Sequence, residues 1–207
     1  MRIIPASYEI LSSVNPDEIM KNIESYGRVC YKSEGSGNVD STDRFIRTLI
    51  KNGHESVIEH EKLTVRIICD RGVTHEIVRH RIASYSQEST RYCNYSQDRF
   101  GNELTFIKPC FWEDKQEEYN IWRNQMEMVE NNYISLIAMG VPAEQARSIL
   151  PNSLKTEIVV TMNLREWRHF FKLRASKQAH PQMREISVPL LSEMKEMLPA
   201  IFGDIEV

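Results

Sequence analysis

Apolar positions along the chain follow two periods, and the switches between them mark out the elements. Ile19, Met20, Ile23 and Tyr26 recur at helical spacing behind Asn15-Pro16, an N-cap and first-turn pair, which predicts a helix. A second helix is expected from near Ser41, through Phe45, Ile46, Leu49 and Ile50, to Gly53. Alternation then takes over. Leu63, Val65, Ile67 and Cys69 interleave with Thr64, Arg66 and Ile68, the pattern of a strand covered on much of both faces. Val73 to His80 returns to helical spacing, while Ile3 to Leu11 and Leu104 to Lys108 read as short strands.

Further on, Tyr119, Trp122, Met126, Val129, Tyr133, Leu136 and Ile137 mark a long amphipathic helix ending at Gly140. Its Met126, Met128 and Tyr133 suit core or a subunit interface rather than a cofactor box. Val141-Pro142 opens a short helix that Pro151 ends. Leu154, Thr156, Ile158, Val160 and Met162 alternate across another strand, and a helix through Trp167, Phe170, Phe171 and Leu173 follows it. A last helical region contains Pro189, expected to kink or divide it. Regular βαβ alternation is scarce. The pattern implies an α+β fold, one domain over residues 1–207, with a central, mostly antiparallel sheet packed by helices and no Rossmann fold.

Composition agrees with a self-sufficient core. The 207 residues, 41% hydrophobic and 27% charged, suit one globular domain that needs no disulfide or metal staple. No repeat or linker divides the chain, and Ser33 to Asn38 is read as a loop. Twenty-six basic against 29 acidic side chains leave a net charge of -3, which argues against a nucleic-acid binder relying on bulk basicity. The start of the chain lacks a signal-like apolar stretch, and no run approaches the length of a membrane span, so a cytoplasmic protein is expected. Cys30, Cys69, Cys93 and Cys110 form no Cys-x-x-Cys pair and are expected to be reduced and mostly buried.

Several familiar sites are missing from the sequence. Gly35-Ser36-Gly37 lacks the third glycine of a dinucleotide fingerprint, and there is no phosphate-binding P-loop. His54 and His60 stand six apart, and His75 and His80 five apart. Neither spacing sets two imidazoles side by side on a helix, so no metal site is expected.

The segment Arg79 to Tyr92 stands out instead: three arginines, four hydroxyl side chains, an amide and two tyrosines in fourteen residues. Guanidinium forks and hydroxyl donors at this density can hold an oxyanion without a glycine loop. The competing reading is a solvated loop whose arginines pair with acidic groups elsewhere. A second cluster, Arg165, Arg168, His169, Lys172 and Arg174, recurs at three- and four-residue intervals as a positive stripe, or an ordinary solvated helix face.

Arg79-His80-Arg81, then Ser89 and Arg91, resembles the signature of the flavin-dependent thymidylate synthases. Gly53-His54-Glu55-Ser56 with Glu59-His60, Ala146-Arg147 before Leu150-Pro151, Asn163-x-Arg165, and Leu173-Arg174 before His180-Pro181-Gln182 follow that family's order. The resemblance covers roughly residues 45 to 190. It implies methylation of dUMP to dTMP, with the one-carbon unit from 5,10-methylenetetrahydrofolate and hydride from FAD reduced by NADPH. It further implies a homotetramer with shared active sites and no nucleic-acid or membrane partner.

Carried onto this chain, the resemblance puts Ser56, Arg79, His80, Arg81, Gln87, Asn163, Arg165 and His169 at FAD, with His54 a further candidate. It puts Arg79, Gln87, Glu88, Ser89, Thr90, Arg91, Arg147 and Arg174 at the nucleotide, the phosphate meeting Ser89, Thr90 and Arg91. Arg174 takes the catalytic role, raising electron density at uracil C5 electrostatically. No cysteine nucleophile is implied, and Cys93 has no assignable base. Two positions depart from the family: Ser86-Gln87 where many members have Asn-Glu, and Glu76 where glutamine is common. Two other classes compete: a single-strand nucleic-acid platform built from Arg79, Arg81, Arg91 and Arg99 with Tyr85, Tyr92, Tyr95 and Phe100, and a flavin-dependent NADPH oxidase.

Overall fold

The computed structural model describes residues 1–33, 38–95 and 101–207. Gly35-Ser36-Gly37, Arg99 and Phe100 lie outside the described residues.

Fourteen elements order the description: β1 (Arg2–Ile4), β2 (Ser7–Ile10), α1 (Pro16–Tyr31), α2 (Val39–Lys51), β3 (Lys62–Asp70), α3 (Arg71–Ile77), β4 (Ala83–Gln87), β5 (Thr105–Ile107), α4 (Gln116–Ala138), α5 (Ala143–Ala146), β6 (Lys155–Asn163), α6 (Leu164–Arg174), α7 (Pro181–Met197) and α8 (Pro199–Phe202). Short 3-10 turns cover Glu55–His60 and Arg147–Ile149. Strands β2, β3, β6 and β4 hydrogen-bond in that order, and β1 pairs in parallel with β5. Along β3 and β6 the partners run in opposite senses: the Leu164 N–H donates to Glu61 O, and the Arg71 N–H donates to Leu154 O. The α+β expectation holds, and the sheet is not a doubly wound parallel one.

By internal contacts the chain divides into two compact units. The first comprises Met1–Tyr8, Arg66–Arg79 and Tyr85–Val159. Its core gathers Leu104, Phe106, Trp122, Met126, Val129, Tyr133 and Leu154, with α4 supplying the aromatic and methionine face that its periodicity predicted. The second comprises Glu9–Val65, His80–Ser84 and Val160–Val207. There the rings of Trp167, Phe170, Phe171 and Phe202 pack at centroid separations of 5.3 to 5.8 Å. The Trp167 indole donates to Leu63 O at 3.1 Å, tying α6 to β3 without an orphaned buried donor.

Four expectations need correction. The single strand from Ile3 to Leu11 is two, β1 and β2, because Pro5 has no N–H to continue a ladder. Ala83–Gln87, read as part of a polar loop, is strand β4; its Ala, Tyr and Gln positions are half-buried, while Ser84 and Ser86 are exposed. Pro189 does not divide α7, which continues past it because Met183, Ile186, Leu190, Leu191 and Met194 are all buried along its length. The four cysteines are free, yet only Cys69 is buried; Cys30 is exposed, and Cys93 and Cys110 are intermediate. No described helix is long and apolar enough to cross a membrane.

Candidate active site

In the second unit a chain of three side chains, two of them buried, forms at α6. Asn163 caps the helix, its Oδ1 accepting the Glu166 N–H at 2.8 Å, which fixes the first turn. Glu166 Oε1 lies 3.0 Å from His80 Nδ1, and Arg174 Nε, at the far end of α6, lies 3.2 Å from His80 Nε2. An arginine Nε always carries hydrogen, so Nε2 must accept and Nδ1 must donate to Glu166. His80 is 4% exposed and Glu166 8%. Burial lowers the His80 pKa below its ordinary value, the Glu166 hydrogen bond opposes that shift, and the Arg174 charge reinforces it. The ring also meets His169 edge-on, centroids 5.4 Å apart, and Phe170 at 5.1 Å.

Beside this chain, still in the second unit, a cavity of about 460 Å³ is lined by Glu55, Glu59, Ile82, Asn163, Arg165, Glu166, His169 and Lys172. Three flavin candidates, Asn163, Arg165 and His169, therefore share one wall. Ser56 is exposed in the 3-10 turn next to Glu55, and Arg81 is exposed next to Ile82. Two cations, an amide and an imidazole suit a diphosphate and a planar ring, and the volume suits part of a dinucleotide. At present Arg165 Nη1 is held by Glu59 at 2.5 Å, so an anion would have to take over from that carboxylate.

The stripe on α6 is exposed at Arg165, His169 and Lys172, but Arg168 is not part of it. Arg168 is 1% exposed and donates to Asp204 at 2.6 and 2.8 Å, to Glu55 at 3.2 Å and to Ile201 O. Burial alone would weaken its charge, but Asp204 and Glu55 hold the guanidinium pKa above its ordinary value. Glu55 is the hub, since Arg165 and Lys172 also lie within 3.8 and 4.0 Å of it.

His80, Glu166 and His169 also place three ligand-type atoms within 4.8 Å of one another. Histidine spacing in the sequence could not show this, because the residues come from distant segments. Both nitrogens of His80 are engaged, however, and the Arg174 cation sits on one of them, which disfavours a second cation there.

Of the nucleotide candidates, Arg79, Gln87 to Arg91 and Arg147 lie in the first unit and Arg174 in the second. Gln87 Nε2 donates to Thr74 Oγ1 at 3.0 Å and Thr156 Oγ1 at 3.2 Å, fixing the end of β4. Glu88 accepts from the Tyr95 hydroxyl at 2.7 Å and from Lys155 Nζ at 2.6 Å. Ser89 Oγ accepts the Arg91 N–H at 3.3 Å, and Arg147 Nη1 reaches the buried Thr90 Oγ1 at 3.5 Å. Arg91 is exposed, 3.9 Å from Glu144 and over the Tyr92 ring at 5.5 Å. One turn thus carries Ser89, Thr90 and Arg91, and Arg147 reaches it from its own 3-10 turn; Arg79 is exposed elsewhere in this unit.

The residues that motif reading missed are Glu166, Lys155 and Arg71. The charge of Arg71 acts on Tyr95, and its Nη1 is buried with no hydrogen-bond partner. A buried donor left open is a structural signal that no spacing carries.

The site residues thus include a carboxylate–imidazole–guanidinium chain in the second unit and a cationic turn in the first, on an α+β scaffold. The chain belongs to the Thy1 family, described as thymidylate synthase complementing protein, which it matches over residues 10–200. It is 36% identical to the flavin-dependent thymidylate synthase of Geobacter sulfurreducens over 184 residues, 86% of this chain and 78% of that one. The enzyme of the same name from Pyrococcus furiosus is 40% identical over 156 residues, and this chain spans 63% of its length. The fold is shared with the UMP/dUMP methylase PolB of Streptomyces cacaoi, solved with 5-Br dUMP, at a TM-score of 0.81 and 22% identity, covering 98% of this chain and 96% of that one.

Proposed function

We propose that the 207 residues form one synthase domain that converts dUMP to dTMP. In the overall reaction dUMP, 5,10-methylenetetrahydrofolate, NADPH and a proton give dTMP, tetrahydrofolate and NADP+. The observation that carries this reading is Arg174, whose Nε is anchored on the buried His80–Glu166 pair at the end of α6. A guanidinium fixed in this way stays protonated at any working pH. Set against the N3/O4 edge of uracil, it stabilises negative charge there and raises electron density at C5, with no nucleophilic cysteine.

FAD, when bound, supplies the hydride. Ser56, His80, Arg81, Asn163, Arg165 and His169, with Arg79 and Gln87, are the residues to hold it. Ser89, Thr90, Arg91 and Arg147 hold the nucleotide phosphate, with Gln87, Glu88 and Arg79 around them. A chain of this length has little concave surface for two dinucleotides, a nucleotide and a folate, which supports a homotetramer with shared sites. The reading also implies a cytoplasmic protein.

The test has three parts. Purified protein is expected to be yellow and to bleach with NADPH. It is expected to release tritium from C5-labelled dUMP only when methylenetetrahydrofolate is present, which separates a synthase from an NADPH oxidase. The Arg174→Ala variant is expected to keep FAD and make no dTMP; normal turnover in that variant overturns the role. A colourless protein that binds single-stranded DNA with a steep salt dependence would favour the nucleic-acid reading instead.

A further inference from the structure

We propose that Glu166 is a positioning residue for Arg174: its carboxylate fixes His80 in the Nδ1–H tautomer, leaving Nε2 as the acceptor that orients the guanidinium. The inference rests on the reading of Arg174 as the group that activates uracil.

Only one protonation state of His80 satisfies both neighbours. With the proton on Nδ1, Glu166 accepts at 3.0 Å and Nε2 accepts from Arg174 Nε at 3.2 Å. With the proton on Nε2, two donors would face each other across that 3.2 Å gap. With both nitrogens protonated, two positive charges would oppose each other as well. With no acceptor on the Nδ1 side, the ring could take the Nε2–H form by giving up its bond to Arg174. The carboxylate removes that choice, and at 8% exposure it leaves little access for water to substitute.

Both ends of the chain are anchored through the backbone. The Asn163 cap holds the Glu166 backbone at the start of α6, where a carboxylate is also favoured by the helix dipole. At the other end, the Arg174 carbonyl accepts the Ser187 hydroxyl from α7 at 2.7 Å, which anchors the backbone. The guanidinium itself meets His80 Nε2 through its Nε. His169 also faces His80, meeting its ring edge-on.

The direct test is the tautomer itself. In the full-length protein with ¹⁵N-labelled histidine, and His80 assigned through loss of its signals in His80→Asn, Nδ1 is expected to be protonated and Nε2 not. A wild-type spectrum with the proton on Nε2 overturns the proposal without any variant at 166. In Glu166→Leu the tautomers are expected to mix or invert, and kcat to fall roughly 10- to 100-fold with KM for dUMP changed less than about 3-fold. Glu166→Gln, whose amide oxygen can still accept from Nδ1, is expected to restore the tautomer and lose less than about 5-fold. A Leu variant that keeps the Nδ1–H tautomer, or keeps turnover within about twofold, refutes the positioning role. If Arg174→Ala is itself active, the reading of Arg174 fails, and the nitrogen spectra still decide whether Glu166 sets the tautomer.

Discussion

The Lys155 ammonium lies 2.6 Å from the Glu88 carboxylate, whose other oxygen takes the Tyr95 hydroxyl at 2.7 Å. The two bonds hold both ends of the turn carrying Ser89, Thr90 and Arg91, and one of them ties that turn to the start of β6. Tyr95 is pushed well above the ordinary phenol range by burial and by the Glu88 charge, so its hydroxyl remains a donor. The side chains of Lys155 and Glu88 are only 21% and 16% exposed, which makes this contact stronger than a surface ion pair.

Removing Lys155 should therefore loosen the turn without touching the second unit's cavity. We expect Lys155→Met to raise KM for dUMP about 10-fold, with flavin affinity unchanged, since a charge-assisted bond contributes about 1.5–3 kcal/mol. Steady-state kinetics and flavin titration of the same preparation would check it. A parallel loss of flavin affinity would show that the pair serves general stability rather than the turn.

How much of this was legible in the sequence depends on the separation of the partners. Helices α1, α2, α4 and α6 and strands β3 and β6 follow from periodicity, because their buried faces recur at fixed short spacing. The site motifs are local too: Gln87 to Arg91 form one turn, and Asn163 and Arg165 share a helix start. Lys155 and Glu166 are different. Each matters through one partner more than sixty residues away, Glu88 at a separation of 67 and His80 at 86. Arg168 was misread for the same reason: on a helical wheel it belongs to a charged stripe, and only the fold brings Asp204 and Glu55 around it.

That buried arginine sets up a stability prediction. The Arg168 guanidinium holds the Asp204 carboxyl below its ordinary value of 3.8, overcoming partial burial. The resulting stability is present above the unfolded-state pKa and is lost as pH falls through the lower folded value. Asp204→Asn should cost about 1–2 kcal/mol at neutral pH, a figure discounted because Asp204 is about half exposed. It should also flatten the acid side of the stability profile. Urea unfolding at pH 7 and in acid would measure both, and an unchanged acid slope would contradict the pairing.

Asn163 has two separable tasks. Its side chain caps α6, and its place on the cavity wall makes it a flavin contact in the proposed function. Asp caps a helix as well as Asn does, but it brings a negative charge next to an anionic cofactor. Asn163→Asp should keep the apo-protein's melting temperature within about 2 °C while weakening FAD binding by roughly tenfold or more. Asn163→Ala should lose about 1 kcal/mol of stability as well. Equal flavin affinity in the Asp variant and wild type would remove Asn163 from the flavin site.

The depressed pKa of His80 predicts how the protein responds to acid. Burial comes first among the causes, and the nearby cations Arg174 and, when protonated, His169 act in the same direction; Glu166 opposes them. Because the folded state resists protonation, the unfolded chain binds the proton first as pH falls below the ordinary value of 6.5. Stability tied to His80 is therefore complete above that value and declines as pH falls toward the folded pKa. Turnover should hold on longer, since Nε2 keeps accepting from Arg174 until the folded imidazole itself is protonated. We expect kcat to show an acid limb with an apparent pKa below 6.5, and unfolding free energy to begin falling at higher pH than kcat does. Measuring both from about pH 8 to about pH 5 tests the order of the two events. A kcat limb at or above 6.5 would mean that the protonation controlling activity belongs to a group other than His80.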